Sequence, residues 1–170
     1  MNDVGYKDVT KKWIREAKPK KGNIKFLNYT ITQDGERFDS TNSILDINVD
    51  DDFYIGTWFK NNIWGNCGFQ PAIVLPQNKR SADLRLYGCK FISEKTMEIK
   101  TINSKRKDGI VRRLKEAKGQ SKNVLIDITN FPYDLESVKQ EIFKYYIKHN
   151  SIKLIAVKKN NDLLFVWEKE

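Results

Sequence analysis

Residues 81–88 read SADLRLYG and residues 96–102 read TMEIKTI. Both alternate apolar and polar positions with the two-residue period of a β-strand. In the first, Ala82, Leu84 and Leu86 share a face, which leaves Asp83 and Arg85 on the other. In the second, Met97 and Ile99 oppose Glu98 and Lys100. Paired as a hairpin, the two strands bring Asp83, 15 residues before Glu98, beside Glu98 and Lys100. Two carboxylates that close repel unless one takes a proton or a cation lies between them. Mg²⁺ is commonly held by one or two carboxylates and keeps waters for a phosphate substrate. A lysine at such a centre orients or activates the nucleophile. Exposed strand charges are the plain alternative in a chain with 31% charged residues.

Working outward, Asp50-Asp51-Asp52 opens a helix to about Ile63, its acids placed where the helix dipole favours them. Residues 72–75 (AIVL) form a strand ended by Pro76. After the loop at 103–109, Asp108 caps a helix running to Lys118. NVLIDIT (123–129) is a buried strand and Asp134 caps a helix to about His149. Residues 152–158 and 163–169 make a hairpin around Asn160-Asn161-Asp162. The order from residue 50 is α-β-β-β-α-β-α-β-β, an α/β fold with helices flanking a mixed central sheet. Before it, residues 8–17 form a short helix and 23–49 small β-structure around a Asp34-Gly35 turn. The expected division is an N-terminal α+β extension over 1–49 and a core over 50–170.

Charge narrows the partners. Residues 1–75 hold 10 basic and 10 acidic side chains, so the net +9 falls entirely in the remainder. Lys79 to Lys118 alone carries 13 basic against 5 acidic residues, the footprint of a polyanion binder, either nucleic acid or an anionic membrane. Lys105, Arg106, Lys107, Arg112, Arg113, Lys115 and Lys118 are the expected phosphate-binding surface. The longest apolar run, Leu163–Trp167, is far short of the ~20 residues of a bilayer span, and the N-terminus lacks the apolar stretch of a signal peptide. Cys67 and Cys89 stand 22 apart without a CxxC, which excludes a structural zinc site. His149 is the single histidine. Two-histidine RNases, HExxH proteases and HNH nucleases are excluded with it, and His149 reads as a packing residue at a helix end. No P-loop or GxGxxG is present. Trp13, Trp58 and Trp64 read as core.

Asp-x(n)-Glu-x-Lys on adjacent strands resembles the signature of PD-(D/E)XK nucleases. From about Phe53 onward the chain resembles the C-terminal tRNA-nuclease toxin domains of contact-dependent growth-inhibition systems and related phage and mobile-element toxins. The order YIGTWFKNNIWGN, SADLRLYG, MEIKT, IVRRLKEAKGQ, SKNVLIDIT carries the likeness, and VTKKWIREA near the start extends it. The resemblance implies a PD-(D/E)XK-like core and a metal-dependent endonuclease cutting tRNA in the cytoplasm of a target cell. A cognate immunity protein would neutralise it. Asp83 and Glu98 would hold a divalent metal, Mg²⁺ first with Mn²⁺ or Zn²⁺ as alternatives. Lys100 would orient water or stabilise the phosphorane charge. Gln120 matches a recurring glutamine that contacts substrate or caps a helix. Asp127, a buried acid, is either a structural ion-pair member or a further site residue. Two departures stand out: Ala82 replaces a proline, and the family's helical glutamate falls near Tyr54, for which Asp52 or Asp51 substitutes if anything does. The same fold cutting DNA, or an inactive nucleic-acid-binding module, are the competing readings.

Overall fold

The computed structural model describes residues 5–16, 23–46, 50–62, 66–87 and 95–169, the side chains at 50–52 and 60–62 excepted. In chain order the elements are β1 (Tyr6–Asp8), α1 (Thr10–Glu16), β2 (Ile24–Phe26), β3 (Tyr29–Ile31), β4 (Arg37–Asp39), β5 (Ile44–Asp46), α2 (Asp50–Asn62) and β6 (Asn66–Phe69). There follow β7 (Ala72–Leu75), β8 (Leu84–Tyr87), β9 (Lys95–Thr101), α3 (Gly109–Ala117), β10 (Asn123–Asp127), α4 (Leu135–Tyr146), β11 (Leu154–Lys159) and β12 (Asp162–Lys169).

Eight strands form one mixed sheet in the order β1-β12-β11-β10-β9-β8-β6-β2. At its centre β9, β10 and β11 run parallel, because α3 and α4 each carry the chain back before the next strand. β8 pairs antiparallel with β9, Leu84 opposite Met97, as the alternation predicts. Each end of the sheet takes a three-residue strand from the N-terminal region: β1 on β12 and β2 on β6.

Alternation along the strands divides the core in two. On one face Leu84, Leu86, Met97, Ile99, Leu125 and Ala156 pack under Trp13 of α1 and Ile55, Trp58 and Phe59 of α2. On the other, Val124, Ile126, Ile155 and Val157 pack under Ile110 and Leu114 of α3 and Val138 and Ile142 of α4. Each of the larger apolar side chains, fully buried, stabilises the fold by about 1.5–3 kcal/mol, which secures both helical layers to the sheet. Gly56 lets α2 approach closely, since a Cβ there would fall 2.3 Å from Phe69 Cζ.

Several expectations need correction. Residues 66–69 form a strand although Asn and Gly disfavour one, so β6 adds a fourth strand between α2 and α3. AIVL is a strand but not a core one: it is mostly exposed and pairs with β5 in a separate two-stranded ribbon. Asp108 precedes α3 without capping it, because its carboxylate is taken by Arg106 at 3.0 and 3.1 Å. Asp134 does cap α4, accepting from the Ser137 amide at 2.9 Å. That helix ends at Tyr146, so His149 is exposed beyond it with its ring 4.3 Å from Tyr145. Trp13 and Trp58 are buried; Trp64 and Cys89 lie outside the described residues.

Candidate active site

Three elements converge where β8 begins. Asp83, the residue before β8, accepts the Ile99 amide through Oδ2 at 2.7 Å, which docks its carboxylate against the middle of β9. Glu98 and Lys100 project from β9 toward the α3 layer, the face shared with their parallel partners Val124 and Ile126. Lys100 Nζ donates to Glu98 Oε1 and, at 3.3 Å, to Gln120 Oε1. Gln120 arrives there because, beyond the end of α3 at Ala117, Gly119 with a φ of +89° turns the chain back. Its amide closes that turn on the Ala117 carbonyl at 3.0 Å.

Burial sets the electrostatics. Glu98 is 1% exposed, and its Oε2 is buried with no hydrogen-bond partner. Desolvation, reinforced by the Asp83 charge and opposed by Lys100, pushes the Glu98 carboxyl up to about 8. Asp83 is also raised by burial, against the pull of the Ile99 amide and Lys100. Two carboxyls facing one lysine thus share a proton, and a hydrogen bond, at neutral pH; with both ionised, Glu98 Oε2 would have no donor. A cation fits such a place: it would supply the missing partner for Oε2 and replace that proton. Among the described residues no three His, Cys, Asp or Glu side chains come together as a metal site. A cation here would therefore have two protein carboxylates and draw the rest of its shell from water and substrate, as Mg²⁺ commonly does.

The remaining expected residues divide. Asp127 lies on the opposite, α2 face of the sheet. Its Oδ2 accepts from Lys158 Nζ at 2.8 Å and its Oδ1 from the Thr129 amide at 2.9 Å. Lys158 is wholly buried and sits 5.4 Å from the ring of Tyr54 and 5.3 Å from that of Trp58. So position 54 faces this ion pair across the sheet from Glu98, and Asp127 has the partner its burial requires. The Asp52 side chain lies outside the described residues. Lys105, Lys107, Arg112, Lys115 and Lys118 are exposed, on the loop before α3, on the helix and just past its end. Arg106 is held by Asp108 and Arg113 by Glu116. Glu116 is lowered chiefly by its bond from Arg113 and further by the charges of Arg113, Lys100 and Arg112.

Sequence reasoning missed Gln70, Lys79 and Arg80. Gln70 is buried; its amide donates to the Asp83 carbonyl at 2.9 Å and its Nε2 to the Ala82 carbonyl at 3.2 Å. Its Oε1 meanwhile accepts from the Ile31 amide at 2.9 Å, which couples the β3–β4 hairpin to the residue carrying the carboxylate. Lys79 and Arg80 line a cleft of about 320 Å³ that ends at Asp83 and Gln120. The signal available was the start of the basic excess at Lys79, overshadowed by the denser cations of α3.

Residues 91–163 match the family model described as the contact-dependent growth inhibition CdiA C-terminal domain. The matched segment takes in Glu98, Lys100 and Gln120, and starts after Asp83. No curated protein and no solved structure matches the chain. Over residues 91–163 the chain is thus similar to the C-terminal toxin domains of contact-dependent growth-inhibition systems.

Proposed function

We propose that this chain is a contact-dependent growth-inhibition toxin domain, a metal-dependent endonuclease that cleaves tRNA in the target cell on a PD-(D/E)XK-like core, and that a cognate immunity protein neutralises it. The observation that carries the reading is the buried Glu98 carboxyl, raised by burial and by its neighbour Asp83 and bonded to Lys100, with Asp83 and Gln120 lining a cleft that also carries Lys79 and Arg80. A stable core gains nothing from such a cluster, since buried charges cost free energy unless fully paired. A reaction on a polyanion does gain from it.

A divalent cation bound by Asp83 and Glu98 would stabilise charge on the phosphate and acidify a water. Lys100, positioned between Glu98 Oε1 and Gln120 Oε1, holds a positive charge where negative charge grows as the phosphodiester is attacked. Gln120 fixes the lysine's reach. The Ile99 amide fixes Asp83, and burial strengthens every one of these interactions by excluding water. The α3 cations supply the sequence-independent attraction that brings a phosphate backbone to the centre. A partner that masks so basic a surface would itself be acidic.

Incubation of the purified chain with total tRNA, plasmid and duplex DNA, with Mg²⁺ and with EDTA, tests this. Expected is tRNA cleavage abolished by chelation and by Glu98→Ala or Lys100→Ala in a folded protein. Full activity of both variants would remove the site assignment; cleavage of DNA in preference to tRNA would change the substrate.

A further inference from the structure

Beside the carboxylate centre the surface carries two adjoining hollows, each of about 320 Å³, that share Lys79 and Arg80. The inner one ends at Asp83 and Gln120 and has an apolar floor of Phe69, Ala72 and Ile73. The outer one is bounded by Gln33, Asp34 and the Lys79-paired Glu36 of the β3–β4 turn, by Gln77 and Asn78, and by Gly119. Lys79 is held in place by Glu36 at 2.5 Å. Arg80 is exposed and makes no ion pair among the described residues. A guanidinium left unneutralised on a ridge between two hollows is a ready bidentate donor to an anionic oxygen.

Resting on the nuclease reading above, we propose that Arg80 binds the phosphate neighbouring the cleaved one in an unpaired RNA strand, with one nucleoside in each hollow. Size supports this: each volume lies at the low end for small-molecule sites, about 300–1,000 Å³, enough for a nucleoside and far too little for a helix. The apolar floor suits a base face, and the polar outer hollow suits base edges. Such edges are open to protein only where RNA is unpaired, since the A-form major groove is too deep and narrow to read. A paired substrate would have to unstack at a cost of a few kcal/mol. Neither the α3 cations nor the metal-binding pair imposes that selection; the ridge and its hollows do.

The test uses the full chain carrying Glu98→Gln, so that binding is measured without turnover. Its substrates are a labelled oligoribonucleotide in unpaired form and the same strand annealed to its complement. Tighter binding of the unpaired strand is expected. Adding Arg80→Ala should weaken that binding on the order of tenfold and reduce the slope of log K against log salt by about 0.7, the single-strand value for one phosphate. Arg80→Lys should restore the slope but only part of the affinity, because a lysine cannot make the bidentate contact. Equal binding of paired and unpaired strands, or an Arg80→Ala chain with unchanged affinity and slope, overturns the inference. If tRNA is cleaved by the wild-type chain in that case, the nuclease reading survives; a chain that neither binds nor cleaves RNA overturns both.

Discussion

Replacing Glu98 with Gln keeps the side chain's shape and removes its titration, which turns the burial of this carboxyl into a measurable quantity. In the unfolded chain the group releases its proton near 4.5, in the metal-free fold only at about 8. Between those values the folded state binds more protons than the unfolded state. The stability contributed by the neutral carboxyl is therefore complete below pH 4.5 and is lost as pH rises toward 8. One proton is worth about 1.4 kcal/mol per pH unit, so the wild-type chain should lose about 3 kcal/mol between pH 5 and 7. Asp83, raised in the same direction, adds to the slope in both proteins, and the difference between them isolates Glu98. The assay is urea denaturation in EDTA at pH 5, 6, 7 and 8. Glu98→Gln should overtake the wild type as pH rises and should fail to cleave RNA. Mg²⁺ should flatten the wild-type dependence, because a cation favours the ionised carboxylate, and leave the variant unmoved. Identical pH slopes for the two proteins in EDTA would refute the argument.

Lys100→Met should leave the unfolding free energy within about 1 kcal/mol, since the lysine is partly exposed and the Glu98 it contacts is neutral at pH 7. RNA cleavage should fall at least a hundredfold, read by gel against circular dichroism of the same sample. Asp127→Ala strands the buried Lys158 ammonium and should cost about 3–5 kcal/mol by urea denaturation. Its cleavage per folded molecule should match the wild type, whereas a stable but inactive variant would place Asp127 in the chemistry. Gly56→Ala drives a methyl into the Phe69 ring and should cost about 1–3 kcal/mol, seen as a lowered Tm.

The centre was legible because a strand's two-residue period is rigid. Once TMEIKTI is a strand, Glu98 and Lys100 must share a face, and Leu84 opposite Met97 follows from the same logic on the neighbouring strand. The matched long helices were legible for the same kind of reason, as α4 shows with Val138, Ile142, Tyr145 and Tyr146 buried along one side. What escaped was structure defined by partners rather than by pattern. β6 is a strand through its pairing with β8 and β2, with Cys67 buried and Gly68 leaving room for Leu27. AIVL has the composition of a core strand, yet finds its hydrogen bonds outside the main sheet. Gln70 carries no motif, and its importance comes from donors and acceptors 12 to 40 residues away. The face on which a buried acid such as Asp127 lies depends on register with β9 and on Lys158 of β11, which no local reading supplies.

The pairing of residues 6–8 with 167–169 has a kinetic implication. One edge of the sheet is thus built by stretches about 160 residues apart, and α1 is fastened to the same late strand through Thr10 Oγ1, which accepts the Val166 amide at 2.8 Å. Loops of that length close slowly, and their contacts cannot assist the early steps of folding. A ribosome making this protein would release a border of unfilled amide and carbonyl groups on β11 until β12 emerges to pair with it. During that interval the nascent polypeptide should be most prone to aggregate and most in need of a chaperone.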